Sequence, residues 1–533
     1  MNSFVSRLGL VGNPFEHYTA ETEPHIADYA IRPPYLQAIS ERAHGLSTFI
    51  LFGDRGAGKS ATRITVFNEI WKVYVDNKDS KRLPFVVNLT DYSRIEAQFK
   101  KGRLTDRDIV SLVGYCVVEQ VLVWLSSLTP EDREVFTEGL DDSERTLILA
   151  LLKGFYLSVN EADRELSTAE ALRILDSAWT TKGRVWASQR WAAAAKVVAA
   201  VVSSLSKRQL GIDVDITAPA EALLKSLVGD SPNAPRAILS KLVEFVGAFG
   251  FTGVVVLVDK IDEIQSTANS SEATASLIHP LLAQIQLLEV ANFSFIFFLW
   301  VKVKDHFEAK HPVRLDKIAH ATISWKVQSL REMIDARIRF FSERKLEFKD
   351  FLANDLDTEA TFSEICKISL NSPRELIKLL DTIIREHDAR GDDASDLIDR
   401  ASLDAGLDKY SVETIGKWFN PKYLQQVLRL GQVNFVNSDV QFAFKIGGQG
   451  ARNKIKVWQD AGLVIQSGTS QSEAGGKPVY RFTVADARVV RIIERNLVES
   501  VGAQLKELFA EWDITDLDLP DDFLEVDEEE RTH

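Results

Sequence analysis

Eight consecutive residues, Gly53-Asp54-Arg55-Gly56-Ala57-Gly58-Lys59-Ser60, fit the pattern G-x-x-x-x-G-K-[ST]. Glycines in such a loop let successive backbone N–H groups turn inward on phosphate oxygens, and a following helix N-terminus adds partial positive charge. Lys59 is then expected to reach the β- and γ-phosphates and the Ser60 hydroxyl to ligate Mg²⁺, with Ala61 the next residue of the cradle. A chance glycine-rich turn is the competing reading, and the flanking elements weigh against it. The apolar run TFILF before Gly53 predicts a buried strand, and Ile64, Phe67, Ile70, Trp71 and Tyr74 after the loop recur at helical spacing.

The other half of such a site is a carboxylate at the C-terminal end of a neighbouring apolar strand, and Asp259 closes the run GVVVLVD. Its β-branched, uninterrupted character suits a central parallel strand covered on both faces. Asp259 is expected to hold Mg²⁺ through water. Glu263, or alternatively Asp262, would polarise the attacking water; a rival reading has both simply opening the next helix, where carboxylates are favourable. ATP and Mg²⁺ are the cofactors this implies, and hydrolysis to ADP and phosphate is the reaction. The nine histidines show no paired spacing, and Cys116 and Cys366 are the only cysteines, so neither a zinc-type site nor a disulfide framework is expected.

These residues must be positioned by more than one core, because single cores stop growing near ~250–300 residues and the chain has 533. A strand Phe85 to Leu89 follows the first helix, giving a βαβ beginning, and another buried strand runs from Phe293 to Leu299. From Gly53 to Asp259 is 206 residues, about twice what two strand-helix units need, so a helical insertion is predicted over about 100–245. Its cluster of Trp179, Trp186 and Trp191 near Arg184 and Arg190 suits a packing elaboration, or a partner platform. The net charge of −14 is concentrated at the end: Glu511 to His533 carries eleven acids and one arginine, leaving the body at about −4. The nearest apolar run found for a bilayer, Ala192 to Leu205, carries Lys196 and is too short. No membrane partner and a cytoplasmic location are expected.

With these residues in place, the chain resembles the AAA+ and STAND branch of P-loop ATPases, most closely the bacterial ATPases likened to the origin-recognition-complex family. The resemblance rests, in order, on Asn13-Pro14-Phe15, the P-loop, LVDKIDE, the strand FSFIFFLW, and Ser372-Pro373-Arg374, followed by a winged helix. Lys260 departs from it, since origin-recognition ATPases place an acid there; the D-x-h-D-E arrangement looks instead like the NACHT subgroup. The resemblance implies that Arg374 senses the γ-phosphate and that Arg314 serves a neighbouring subunit of a homo-oligomer. Plainer readings are a surface arginine pairing with Glu375 or Asp381, and an ordinary loop arginine. Lys302 is assigned the polar position at the tip of the fourth strand.

The implied fold is α/β: a lead-in over 1–46, a P-loop AAA+ core with a parallel sheet and the long helical insertion over 47–325, a helical lid over 326–412, a winged-helix domain over 413–500, and an acidic tail over 501–533. In the lid, Ser372 is expected to cap a helix whose first turn holds Pro373. In the winged segment, Ser438 to Phe444, the turn Gly447–Gly450 and a recognition helix Ala451 to Asp460 would form a helix-turn-helix, with a wing made by Leu463–Gln466, a loop to Lys477, and Val479–Thr483. Lys445, Arg452, Lys454 and Lys456 lie in a window, Val440 to Gln459, that holds no acid, which favours contact with duplex DNA; a protein-docking role or a plain solvated face are the alternatives. Two functions follow: an ATP-dependent switch that oligomerises to engage DNA or recruit a partner, or a STAND-like sensor in antiphage defence. The chain has no recognisable effector motif, so either implies an effector protein partner.

Overall fold

The structure is a computed structural model. It describes residues 3–19, 34–76, 83–128, 139–159, 231–268, 270–391, 395–416, 418–470 and 479–502, with isolated positions between them. The tryptophan cluster of the insertion, Ala192 to Leu205, most of the wing loop and the acidic tail lie outside the described residues. The chain divides into two compact units, 19–324 and the combination of 1–18 with 325–533.

In the first unit, five parallel strands form one sheet: β1 (Phe49–Gly53), β2 (Phe85–Leu89), β3 (Val254–Val258), β4 (Phe293–Trp300) and β5 (His320–Thr322), in the order β2-β3-β4-β1-β5. Every residue of β1 to β4 is buried, as expected of parallel strands covered on both faces. Helix α1 (Pro34–His44) precedes β1 and α2 (Lys59–Asp76) follows it. The segment between β2 and β3 supplies α3 (Asp106–Ser127) and α4 (Ala234–Gly247). Thr105 and Asp108 start α3 with a reciprocal capping box. Residues Asp106–Leu125 of α3 are long and apolar enough to cross a membrane, a stretch the sequence reading passed over, yet 83% of the apolar stretch is buried inside the protein. Its Glu119 is satisfied there by the Tyr115 hydroxyl at 2.8 Å. It is a core helix. After β3, α5 (Ser271–Leu282) starts from a Ser270 cap.

The second unit holds two cores. Helices α6 (Val327–Phe341), α7 (Thr358–Ile368), α8 (Pro373–Ala389) and α9 (Arg400–Ile415) enclose the first, and the N-terminal segment contributes Phe4, Leu10 and Phe15 to it. The lead-in is therefore divided: its first residues pack with the predicted lid. Asn13 of the Asn-Pro-Phe signature explains this, since its Nδ2 donates to Asp381 at 2.8 Å while Arg337 Nε donates to the Pro14 carbonyl at 2.9 Å.

The second core belongs to the winged segment: α10 (Pro421–Leu430), β6 (Asn434–Val436), α11 (Asn437–Phe444), α12 (Gly448–Asp460), β7 (Val464–Ser470), β8 (Val479–Val484) and α13 (Ala487–Glu494). Its antiparallel sheet has the order β6-β8-β7. Strand β6 is too short to announce itself by alternation and is absent from the sequence reading. Ile455 and Trp458 of α12 and Leu463 just beyond it are buried in this core, the three positions expected to face it.

Candidate nucleotide site and basic helix

Parallel strands bring all their C-terminal ends to one edge, and that edge carries the candidate site. Because β4 lies between β1 and β3, the ends of β1 and β3 stand two strand spacings apart, about 10 Å. Gly53, the last residue of β1, is in register with Trp300, the last of β4. Gly56 and Gly58 adopt φ of 77° and 90°, a region that glycine enters without the steric cost other residues meet. The loop so formed runs directly into α2, whose first residues are Lys59 and Ser60. Lys59 is 8% exposed, and its ammonium donates at 3.0 Å to the carbonyls of both Gly53 and Asp54.

On the β3 side, Asp259 is 2% exposed and accepts a hydrogen bond at 3.0 Å from Arg63 Nε, a residue one turn into α2. Arg63 Nη1 also donates to Asn88 Oδ1 of β2 at 2.8 Å. Behind them the Tyr92 hydroxyl donates to the Asp259 carbonyl at 2.8 Å, and burial pushes its pKa well above the ordinary phenol value. Lys260 takes φ 63°, an uncommon conformation for a residue with a side chain. The chain then proceeds as turns, with Glu263 N–H donating to the Lys260 carbonyl at 3.1 Å. Helix α5 begins only at Ser271, so Asp262 and Glu263 do not open it.

The two candidate acids sit differently. Asp262 is 5% exposed and paired with Arg55 of the P-loop, whose Nε lies 3.2 Å from its Oδ2 and whose Nη2 donates to its carbonyl at 3.0 Å. Arg55 also lies over the Trp300 ring, 4.6 Å from its centroid. Glu263 is exposed. Lys302 packs its ammonium 5.4 Å from the Trp300 centroid. Arg314 is exposed in the loop before β5 and forms a two-pronged pair with Asp316 at 2.8 and 2.7 Å.

The donor set suits a magnesium-bound triphosphate. A glycine loop with two left-handed turns, a helix N-terminus, an ammonium, a hydroxyl and a carboxylate are all hard oxygen or anion partners. Sequence reasoning missed Arg63, Asn88 and Tyr92. Arg63 was open to it: with Phe67, Ile70 and Trp71 it lies on one buried face of α2, where a charge demands a partner. Asn88 was open to it as well, the one polar residue in FVVNL. Tyr35 of α1 joins the same neighbourhood through its hydrogen bond with Thr62, and burial pushes its pKa up to about 12.

In the second unit, Arg374 is the second residue of α8. Ser372 stands at the cap position, but its side chain makes no cap hydrogen bond. Among the described residues, the two carboxylates that could have paired with Arg374 are engaged elsewhere: Glu375 with Lys378 at 3.1 Å and the Tyr410 hydroxyl, Asp381 with Arg385 at 2.8 Å and Asn13.

The winged segment places its four basic residues unequally. Lys445 takes φ 55° at the end of α11 and is exposed. Arg452 and Lys456 are exposed one helical turn apart on α12, with Arg452 held by Gln449 Oε1 at 3.0 and 2.8 Å. Lys454 points elsewhere: it is half-buried with its ammonium 4.8 Å from the Phe444 centroid, and burial, with Lys422 and Arg429 nearby, lowers its pKa. The turn is Lys445–Gly447, and α12 starts three residues earlier than the periodicity of its apolar positions suggests.

No family model matches the chain, and no curated protein matches it. Among solved structures it is similar to the ORC2 protein of Aeropyrum pernix in ADPNP-ADP complexes, at 12% identity and a TM-score of 0.40, covering 91% of this chain and 99% of that one. The Aeropyrum pernix ORC1 protein in complex with DNA is similar at 10% identity and a TM-score of 0.36, covering 91% and 98%. Drosophila ORC bound to DNA gives 11% identity and a TM-score of 0.29, covering 92% of each chain.

Proposed function

We propose that this protein is a P-loop ATPase acting as a nucleotide-dependent switch. The observation that carries the reading is the shared edge: the glycine loop and Lys59 stand at the end of β1, and a buried carboxylate, Asp259, stands at the end of β3, with β4 between them. In this reading the backbone N–H groups of residues 53–61 and Lys59 hold the β- and γ-phosphates, while Ser60 and Asp259 hold Mg²⁺. The metal supplies charge neutralisation at the phosphates when bound. Glu263 is favoured as the water-orienting base, since its side chain is exposed whereas that of Asp262 is buried and already engaged by Arg55.

Arg374 and Arg314 remain proposals for γ-phosphate sensing and for action on a neighbouring subunit. The missing partners of Arg374 inside α8 support the first. The Asp316 pair of Arg314 is exposed on both sides, so breaking it to reach a neighbour costs little. Duplex DNA is the proposed ligand of Lys445, Arg452 and Lys456, which share solvent exposure on a helix-turn-helix; Lys454 is a weaker candidate because its ammonium packs on Phe444. The test is ATP turnover by the purified chain with and without duplex DNA, alongside its mass in each state. ATP- and DNA-dependent assembly supports the DNA switch. Assembly with ATP that ignores DNA supports the sensor reading, and absence of any nucleotide response ends both.

A further inference from the structure

A buried charge pair lies where the metal-side carboxylate should be open to a cation. The side chains of Arg63 and Asp259 are 3% and 2% exposed, 3.0 Å apart. The guanidinium is oriented by a second bond, Nη1 to Asn88 Oδ1 at 2.8 Å. Asn88 is itself clamped by Gln120 of α3, whose Oε1 accepts from the Asn88 N–H at 3.0 Å and whose Nε2 donates to its carbonyl at 2.8 Å. Tyr92 closes the far side, donating to the main-chain carbonyl of Asp259. The arginine is thus a fixed part of the base of the site, tied to β2, β3 and the insertion helix, and it approaches Asp259 through Oδ2.

We propose that Arg63 is the resident counter-cation of Asp259, a positioning residue that holds down the carboxylate's affinity for a divalent cation until nucleotide phosphates arrive. The inference rests on the reading of Asp259 as the metal-side carboxylate. The physical basis is charge. A buried carboxylate without a partner is strongly disfavoured and attracts whatever cation reaches it. With one unit of positive charge already on Oδ2, Mg²⁺ gains much less from Asp259 and is repelled by the guanidinium. Only a ligand that brings several negative charges of its own restores the balance. Metal and nucleotide then enter together, and the empty protein does not fill its site with metal.

The test uses the full chain and Mg²⁺ alone as the probe. Wild-type protein should show the same melting temperature in EDTA and in millimolar Mg²⁺. Arg63→Met should melt lower in EDTA, recover in millimolar Mg²⁺, and bind Mg²⁺ without nucleotide at least about tenfold more tightly than wild type by calorimetry. The double variant Arg63→Met/Asp259→Asn, with no charge left to compensate, should regain much of the lost melting temperature and ignore Mg²⁺. If the double variant melts as low as Arg63→Met, or Arg63→Met is folded and as insensitive to Mg²⁺ as wild type, Arg63 serves packing alone and the inference falls. Asp259→Asn separates the two levels: if it binds MgATP as wild type does, the assignment of Asp259 itself is wrong.

Discussion

The nucleotide edge and the winged segment handle charge in opposite ways. At the sheet edge the central charges are covered and partnered: Arg63 with Asp259, a half-buried Arg55 with the buried Asp262, and buried Lys59 with two carbonyls. On α12 Arg452 and Lys456 are exposed, and Arg452 is held by a neutral glutamine, Gln449, rather than by a carboxylate. A buried charge survives only where its surroundings are fixed, so it defines a geometry. An exposed charge defines a field, which any phosphate backbone can use and which salt weakens. The first region therefore speaks of a particular ligand and the second of a class.

The contrast breaks most sharply at Glu263. Glu263→Gln should lower ATP turnover by about 10²–10⁴ with MgATP affinity unchanged in calorimetry, whereas Asp262→Asn should act mainly on melting temperature by unpairing Arg55. Reversed phenotypes would exchange the two acids. For the exposed region, Arg452→Ala with Lys456→Ala should weaken duplex binding and reduce its salt slope by about 2. Lys454→Ala should change the slope by much less, since its ammonium packs on Phe444; equal slopes for the two variants would erase the distinction drawn on α12.

Asp399 extends the rule about partly covered charges to a place with no proposed chemistry. Burial alone would raise its pKa, yet hydrogen bonds from Ser402 and Arg390 bring it down to about 2 from 3.8. A depressed carboxylate stabilises the fold above its unfolded value and loses that contribution as pH falls through the folded one. Asp399→Ala should cost about 2 kcal/mol near neutral pH and little below pH about 2, as measured by denaturant titration across that range.

Much of this was legible in the sequence, for reasons that differ by element. β1, β2, β3 and β4 were visible as apolar runs because parallel strands bury both faces, and the loop between β1 and α2 because its glycines are required by positive φ. The winged segment was visible through the apolar positions Ile455, Trp458 and Leu463 set among basic and polar residues. What escaped was tertiary. Nothing in a linear pattern pairs Arg63 with Asp259 across 196 positions, or sends Asn13 to Asp381. Lys454 misled because spacing assigns a helical face by position, while a neighbouring Phe444 captured the side chain.

The central claim is that main-chain amides and Lys59 grip triphosphate oxygens opposite Asp259. Calorimetric titration of MgATP into the wild-type chain and into Lys59→Ala, each shown to be folded by its melting transition, tests it most directly. Saturable binding by wild type, weakened by about 100-fold or more in Lys59→Ala as a charge-assisted contact of roughly 3 kcal/mol is lost, is the expected result. No heat of binding to wild-type protein, or equal affinity in the two, would contradict it.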